Sequence, residues 1–479
     1  MKGKQQKISL DNYQHTTRTE SEREVGVQTF IGITENDLTN IDLVKSDLLS
    51  QILSPSNLNT AYKQVVRNKG VGGIDKMETG ELREYLIQHQ DSLIDLLKSG
   101  KYSPKPVRRV LIPKEPGKVR KLGVPTVVDR LIQQAIQQIL SPIYELQFLP
   151  VSYGFRPNRG AQQALSKAQV YISEGYDYGL KLDLENFFDR VNHQKLIEVL
   201  SRTISDGRVI SLIHKYLNSG VRIGHKFEST ISGVPQGSPL SPLLSNIMLH
   251  ELDKELESRG HRFVRYADDL VIFTRSSRSA MRVLKSIKAY IEDKLYLKVN
   301  LTKSQISYYT AIEFLGHSFY RRKGQGRLRV SKESIVKLKN RIKVLTSRSN
   351  GWGNERRKRE LNNYIIGWVN YFKHSDMKTI LSVIDQWYRR RLRMLIWKQW
   401  KQFRTRVKNL MKLGIEKPLA IGYARTRKSY WRVSNSSILG SSITNSRLRR
   451  AGYLFLLDYY QKVKVNKEPP YTRSVRTVV

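Results

Sequence analysis

Arg262-Phe263-Val264-Arg265-Tyr266-Ala267-Asp268-Asp269-Leu270-Val271-Ile272-Phe273 decides how the rest of this 479-residue chain reads. Two apolar, β-prone runs flank adjacent carboxylates, which predicts a hairpin with two Asp at its tip. Neighbouring carboxylates repel and raise each other's pKa unless a cation neutralises them. Oxygen ligands in a chain without cysteine favour Mg²⁺, with Mn²⁺ as a substitute. Such a pair suits a site that holds two metal ions for phosphoryl transfer. Taken alone, Tyr266-Ala267-Asp268-Asp269 reads better as a turn that merely favours Asp, so its surroundings decide.

Upstream lies Tyr178-Gly179-Leu180-Lys181-Leu182-Asp183-Leu184-Glu185-Asn186-Phe187-Phe188-Asp189. Leu180, Leu182 and Leu184 alternate with Lys181, Asp183 and Glu185, a strand pattern that puts Asp183 at a strand's end as a third carboxylate. Between the two motifs is Gly233-Val234-Pro235-Gln236-Gly237-Ser238-Pro239-Leu240-Ser241-Pro242-Leu243. Its glycines and prolines shape a loop before a helix over 240–256, whose apolar positions are 240, 243, 244, 247, 248, 252 and 256.

These residues resemble the reverse transcriptases encoded by group II introns. The resemblance rests on Asp183 with Phe187-Phe188-Asp189, on Val234-Pro235-Gln236-Gly237 and on Tyr266-Ala267-Asp268-Asp269. It continues through Val299-Asn300-Leu301-Thr302-Lys303-Ser304 and Phe314-Leu315-Gly316. Upstream it takes in Arg108, Ile112-Pro113-Lys114, Gly117-Lys118-Val119-Arg120, Gly123-Val124-Pro125 and Tyr153-Gly154-Phe155-Arg156-Pro157. Order and spacing match from about residue 55 onward, and Glu468-Pro469-Pro470-Tyr471-Thr472 is similar to the tail of short bacterial members of the group IIC type.

The resemblance implies an α+β fold: a right-hand polymerase with fingers and a palm of antiparallel sheet plus helices. A three-helix thumb (the maturase X region) and a small basic DNA-binding region complete it. It implies that Asp183, Asp268 and Asp269 are catalytic and hold two Mg²⁺ ions, with the backbone carbonyl of Leu184 as a further ligand. Arg108, Lys114 and Arg120 would grip the triphosphate of a dNTP, although template contact or plain surface charge is an alternative for each. Phe188 would be a steric gate against a 2′-OH, with Phe187 the better core residue. Gln236 would touch the incoming nucleotide or only shape its loop, and Lys303 would protonate pyrophosphate or pair with a carboxylate. Glu185 is left with an open helping role, while His193, His214 and His250 have no metal-site spacing and read as structural.

The implied function is RNA-directed DNA synthesis on intron RNA during retrohoming, joined to maturase assistance in splicing. Its partners would be the group II intron RNA, a DNA target or primer and dNTPs. A domesticated reverse transcriptase in defence, repair or CRISPR adaptation is the alternative. A purely RNA-binding splicing factor is another, which loss of a catalytic Asp would favour; none is lost. The chain has no His/Cys-rich nuclease region of the kind the family often carries, so no second-strand cleavage is expected.

Composition agrees. The formal charge is +42, from 84 Lys and Arg against 42 Asp and Glu, and this calls for a polyanionic partner. Residues 326–479 hold 37 Lys and Arg against 8 acids, whereas residues 1–50 hold 6 against 8. The lack of cysteine excludes disulfides and thiolate zinc sites. No apolar run resembles a signal peptide or a membrane span, so the expectation is a cytoplasmic, nucleoid-associated ribonucleoprotein with no membrane contact. Oligomeric state stays open, a homodimer included.

The pattern divides into six regions. Residues 1–40 read as a flexible extension, or as a segment that orders on RNA. Residues 41–100 read as an N-terminal fingers extension, with a first helix from Asp42 marked by Leu43, Leu48, Leu49, Ile52 and Leu53. Residues 101–175 read as fingers, with strands over 107–112 and 119–123, a Pro116-Gly117 turn and a helix over 128–140. Residues 176–325 read as palm. Residues 326–404 read as thumb, with Ile335, Leu338, Ile342 and Leu345 on the first helix and Leu361, Ile365, Trp368, Val369 and Phe372 on the second. Ile380, Val383, Ile384, Trp387, Leu392, Leu395 and Ile396 mark the third. Residues 405–479 read as a DNA-binding region with little regular structure. Residues 387–412 hold ten Lys and Arg and no acid, with Trp387, Tyr388, Trp397, Trp400 and Phe403 interleaved. That reads as a basic groove with stacking platforms, binding nucleic acid through Arg389, Arg390, Arg391, Arg393, Lys398, Lys401, Arg404 and Arg406.

Overall fold

The computed structural model describes residues 47–115 and 118–465; within these the side chains of residues 114, 115, 118 and 465 are not described. The expectations for residues 1–40, for Asp42 and Leu43, for the Pro116-Gly117 turn and for Glu468 to Thr472 lie outside the described residues. The chain divides into two compact units, with the boundary at Gly326 and Arg327.

In the unit up to Gly326, helices Leu48–Ile52, Pro55–Arg67 and Leu82–Lys98 lead into a hairpin of β1 (Val107–Glu115) and β2 (Lys118–Val124). The register Arg108↔Val124 and Ile112↔Arg120 puts Arg108, Ile112 and Arg120 on one face. Helix Val127–Glu145 follows, with Thr126 accepting from Asp129 N as its N-cap. It runs five residues past the expected end, and Pro142 lies inside it. Helix Ala161–Ser173 comes next and leads to β3 (Tyr178–Leu182).

The short strands β4 (Val221–Ile223) and β5 (Lys226–Glu228) extend the first sheet to the order β2-β1-β4-β5. β1 and β4 pair in parallel through Val107↔Val221, an element that the sequence did not announce. A three-residue strand is too short to show periodicity.

The second sheet holds the carboxylates. It consists of β3, β6 (Arg262–Tyr266), β7 (Asp269–Thr274) and β8 (Gln305–Tyr308), in the order β6-β7-β3-β8. All its pairs are antiparallel, as a palm requires. Leu270, Val271, Ile272 and Phe273 are all buried because β7 is internal and covered on both faces. Each such side chain contributes about 1.5–3 kcal/mol of burial energy. Helix Ser277–Asp293 packs on β3, β7 and β8 and helix Ser241–Ser258 on β6. A small sheet of β9 (Glu313–Phe314), β10 (His317–Arg322) and β11 (Gln325–Val330) follows.

The unit from Arg327 onward opens with the three expected helices, Lys332–Leu345, Asn354–Phe372 and Lys378–Gln399. The buried stripe of the third runs through Leu381, Ile384, Tyr388 and Leu392, whereas Val383 is 52% exposed. The region beyond 404 departs from expectation. Up to residue 465 it is mostly helical, with Phe403–Lys412, Lys417–Ala424, Tyr430–Val433, Ser437–Ser442, Asn445–Arg450 and Leu456–Val465. Leu410, Leu439, Leu448 and Phe455 share one apolar core with Leu361, Ile365 and Tyr388. These helices therefore complete the thumb's core and do not form a loosely ordered appendage.

Candidate active site

The register Tyr266↔Asp269 leaves only Ala267 and Asp268 in the hairpin turn. Asp268 is exposed at the tip, and Asp269 is half-buried as the first residue of β7. Ala267 has φ +56°, where a Cβ costs about 1–2 kcal/mol. Something nearby must hold it there.

Four buried or backbone groups do so. Arg265 Nη1 donates to Ala267 O at 3.0 Å and to Asn246 Oδ1 at 3.0 Å. Arg265 Nε and Nη2 donate to Asp253 Oδ1 and Oδ2 at 2.7 and 2.5 Å. Asn246 Nδ2 in turn donates to Gly154 O at 2.8 Å. A Cβ placed on Gly154 would meet Ala267 N at 2.2 Å, so the Tyr153-Gly154 backbone lies directly against the turn.

Asp183 arrives from β3. Its neighbour Leu182 pairs with Leu270, so Asp183 follows directly toward Asp269. The main chain here is fixed to residues 298–304. Asn300 N donates to Asp183 O at 2.8 Å, Asp183 N to Ser304 Oγ at 3.1 Å, and Glu185 N to Lys298 O at 2.8 Å. Asp183 Oδ2 is buried with no hydrogen-bond donor, although Lys303 Nζ stands 3.5 Å away. A buried carboxylate oxygen without a donor is costly, and a cation satisfies it. By that chemistry Asp183 suits a divalent ion. Yet Asp183 leans toward Lys303 and Asp268 faces solvent, and among the described residues no three acidic or imidazole groups form a ready-made metal cage. Glu185 pairs with Arg190 at 2.9 Å and Lys298 at 3.5 Å.

The loop with Gln236 joins the first sheet to the short helix Phe187–Arg190 that follows β3. Val234 N donates to Phe188 O at 2.6 Å, Gly233 N to Val191 O at 2.8 Å, and Gly123 N to Gln236 O at 2.7 Å. His193 bridges Gly233 O and Asn218 Oδ1 at 2.7 and 3.0 Å, a structural role as expected. The ring of Phe188 stands edge-on to the buried Phe187 at 5.2 Å. Arg120 is exposed on the hairpin. Arg108 is engaged with the protein: Nη2 and Nε donate to Gly72 O at 2.8 and 3.2 Å. Lys114 lies at an irregularity of β1, and its side chain is outside the described residues.

Comparison with known proteins gives two family matches. Residues 112–319 match the family model described as reverse transcriptase (RNA-dependent DNA polymerase). Residues 335–414 match the group II intron, maturase-specific domain. The chain is 32% identical over 326 residues to Protein YkfC of Escherichia coli, covering 59% of this chain and 85% of that protein. It is 30% identical over 383 residues to the group II intron-encoded protein LtrA of Lactococcus lactis, covering 66% of this chain and 62% of LtrA.

The chain belongs to the group II intron reverse transcriptase and maturase family. It is also 26% identical over 424 residues to the putative COX1/OXI3 intron 2 protein of Saccharomyces cerevisiae, covering 72% of this chain and 48% of that protein. It therefore spans less than two thirds of the length of LtrA and of the yeast protein.

In this reverse transcriptase the basic stretch of the maturase region does internal work that its sequence did not reveal. Arg391 Nη2 donates to Thr346 O at 3.1 Å, Arg393 Nε to Ile443 O at 2.9 Å, and Arg406 Nε to Trp400 O at 2.9 Å. Each acceptor is the C-cap residue of a helix, where orphan carbonyls and the helix dipole favour a cation. Burial pushes the guanidinium pKa of Arg391 and Arg393 down, and arginine stays charged regardless. Arg390 lies 3.9 Å over Trp431, Arg389 lies 5.4 Å over Phe455, and Lys398 donates to Arg348 O. Tyr388 and Trp397 are core residues at 0 and 1% exposure, so neither ring is a platform for a base. Lys401 and Arg404 are the two of the eight that are fully exposed. Trp397→Ala should accordingly cost about 3–5 kcal/mol in chemical denaturation, as a core cavity does. A loss under about 1 kcal/mol would mean that the ring is not a core element.

Arg265, Asp253, Asn246 and Gly154 carried no role in the sequence reading. A signal for them was present. Arg265 stands inside an apolar strand and Asp253 follows Leu252 on a helix that is buried on most sides, so opposite charges occupy two core-facing positions.

Proposed function

We propose that this protein is an RNA-directed DNA polymerase that copies intron RNA into cDNA during retrohoming and assists splicing of that RNA. One observation carries the reading: the β3–β7 register ends at Leu182↔Leu270, so Asp183 and Asp269 are the next residues of neighbouring strands, and Asp268 lies in the adjoining turn. The chemistry is nucleotidyl transfer. Asp183 and Asp268, with Asp269 and the Leu184 carbonyl in support, would hold two Mg²⁺ ions, which would supply neutralisation of the charge that develops in the transfer.

The chain's own residues do the rest. Lys303, already beside Asp183, carries a proton toward the departing pyrophosphate. Arg120, with Lys114 on the same hairpin, grips the triphosphate. Arg108 supports them from below by holding the loop at Gly72. Gln236 lies against the nucleotide, and the Phe188 ring lies under its sugar. Lys401 and Arg404 meet nucleic-acid phosphates, along with outward faces of Arg389 and Arg390. The partners are intron RNA, a DNA primer and dNTPs, in a nucleoid-associated ribonucleoprotein of the cytoplasm. Among the described residues no helix is long and apolar enough to cross a membrane.

The test is extension of a DNA primer on an RNA template with the four dNTPs and Mg²⁺. Product that depends on the template and disappears with EDTA supports the reading; no product on any primed RNA defeats it. Sugar choice gives a finer test. Phe188→Ala should relax discrimination of dGTP over GTP by about 10²-fold, since each lost steric contact is worth only a few kcal/mol. An unchanged ratio would make Phe188 a core residue. Splicing separates the two activities. Asp268→Asn should still promote intron splicing, because the reacting groups there belong to the RNA.

A further inference from the structure

Ala267 carries a side chain in a left-handed conformation at the one position where the catalytic turn reverses, and every group that fixes it converges on Arg265. Arg265 and Asp253 are 1 and 0% exposed, and Asn246 is 1% exposed. A buried ion pair is a poor source of stability, since desolvation opposes its Coulomb attraction. Its bidentate geometry does supply direction. The guanidinium plane is set by both oxygens of Asp253, and its remaining edge is aimed at Asn246 Oδ1 and Ala267 O. Ala267 O is the carbonyl of the peptide that joins Ala267 to Asp268. The Arg265 main chain is fixed as well, by Arg265 N to Val151 O at 3.0 Å and Tyr153 N to Arg265 O at 2.9 Å. The peptide before Asp268 is therefore held in one orientation, which sets the direction in which the Asp268 side chain leaves the turn.

We propose that the buried Arg265–Asp253 pair, steadied by Asn246, is a positioning device that sets the Asp268 carboxylate for divalent-metal binding. It never touches substrate or metal. It acts by locking the Ala267–Asp268 peptide against the strain of its own turn. The proposal rests on the polymerase reading for its catalytic consequence, whereas its metal-binding consequence is independent of it.

Arg265→Lys tests this, because lysine keeps the charge and loses the fork that reaches Asp253 and Ala267 together. Three readouts are taken on the full chain, each per folded molecule as fixed by circular dichroism and thermal melting. Half-maximal primer extension should need about tenfold more Mg²⁺, the scale seen when an outer partner of a metal ligand is lost. Mn²⁺ titration of the protein alone, followed by the EPR signal of free Mn²⁺, should show a similar loss of affinity. KM for the primer–template should stay within about twofold, because Arg265, Asp253 and Asn246 are buried and do not meet the duplex. Adding Ala267→Gly to Arg265→Lys should recover part of the Mn²⁺ affinity, since glycine adopts positive φ without the clamp.

A merely structural role gives another outcome: lower melting temperature with unchanged Mn²⁺ affinity and Mg²⁺ requirement per folded molecule, and no rescue by glycine. That result overturns the proposal. If Arg265→Lys does not fold, Asn246→Ala replaces it, as it removes contacts to Arg265 and Gly154 without stranding a charge. If the unsubstituted protein makes no DNA, the polymerase reading fails, and the Mn²⁺ titration alone decides the clamp.

Discussion

Asp268→Asn should reduce RNA-templated primer extension by at least ~10³-fold while leaving the melting temperature within about a degree of the parent. A neutral amide cannot hold a divalent ion against the charge that develops at the transition state. Asp268 is exposed at the tip of its turn, so no packing is lost with it. The separation of the two readouts is the strength of the experiment. Single-turnover extension with saturating Mg²⁺ measures the chemical step, and a variant within tenfold of the parent would remove Asp268 from the catalytic set.

Gly154→Ala should be nearly as damaging, at ~10²-fold or more. The added Cβ would lie 2.2 Å from Ala267 N and 2.9 Å from both Ala267 Cα and Tyr266 C. These are main-chain atoms, and none can rotate aside. The turn must therefore shift by about an ångström, which is enough to cost two orders of magnitude in a site built on alignment. Gly160→Ala is the control, because nothing lies within 4 Å of its added Cβ. Extension rates and melting curves of the two variants should part company. If Gly154→Ala keeps the parental rate, the turn tolerates displacement and the tight packing seen around it has no catalytic value.

The legible parts of this protein were those where local pattern and tertiary environment agree. Leu180 and Leu182 alternate with polar residues and are buried, which put Asp183 at a strand end as the sequence had it. The run from Leu270 to Phe273 belongs to an internal strand, so continuous apolarity was a correct guide. The thumb's first two stripes were read residue by residue, since long helices give many repeats of their period. The illegible parts have physical causes too. Tyr430–Val433, Ser437–Ser442 and Asn445–Arg450 make less than two turns each, too few for periodicity. Their signal was in the caps instead: Ser429, Ser436 and Thr444 each accept a backbone N–H at the helix start. Arginine was the harder case. A guanidinium that closes a helix C-terminus and one that awaits a phosphate look identical in sequence, and Arg391, Arg393 and Arg406 turned out to include the first kind. Nor can a single sequence pair Arg265 with Asp253, twelve residues away across a helix and a strand.

The link between Gly123 and Gln236 has a practical consequence for redesign. The joint runs through main-chain atoms, Gly123 N to Gln236 O, and so is indifferent to which side chain residue 236 carries. Residue 236 can be randomised in a search for altered nucleotide preference without unseating its loop from the first sheet. Its neighbours offer no such latitude. Gly233 and Gly237 have φ of +95° and +109°, and a Cβ on Gly123 would press on Val107 at 2.9 Å and Pro235 at 3.2 Å. A library over residues 233–237 would put most of its members on chains that cannot close the loop; one confined to residue 236 leaves that main-chain bond in place.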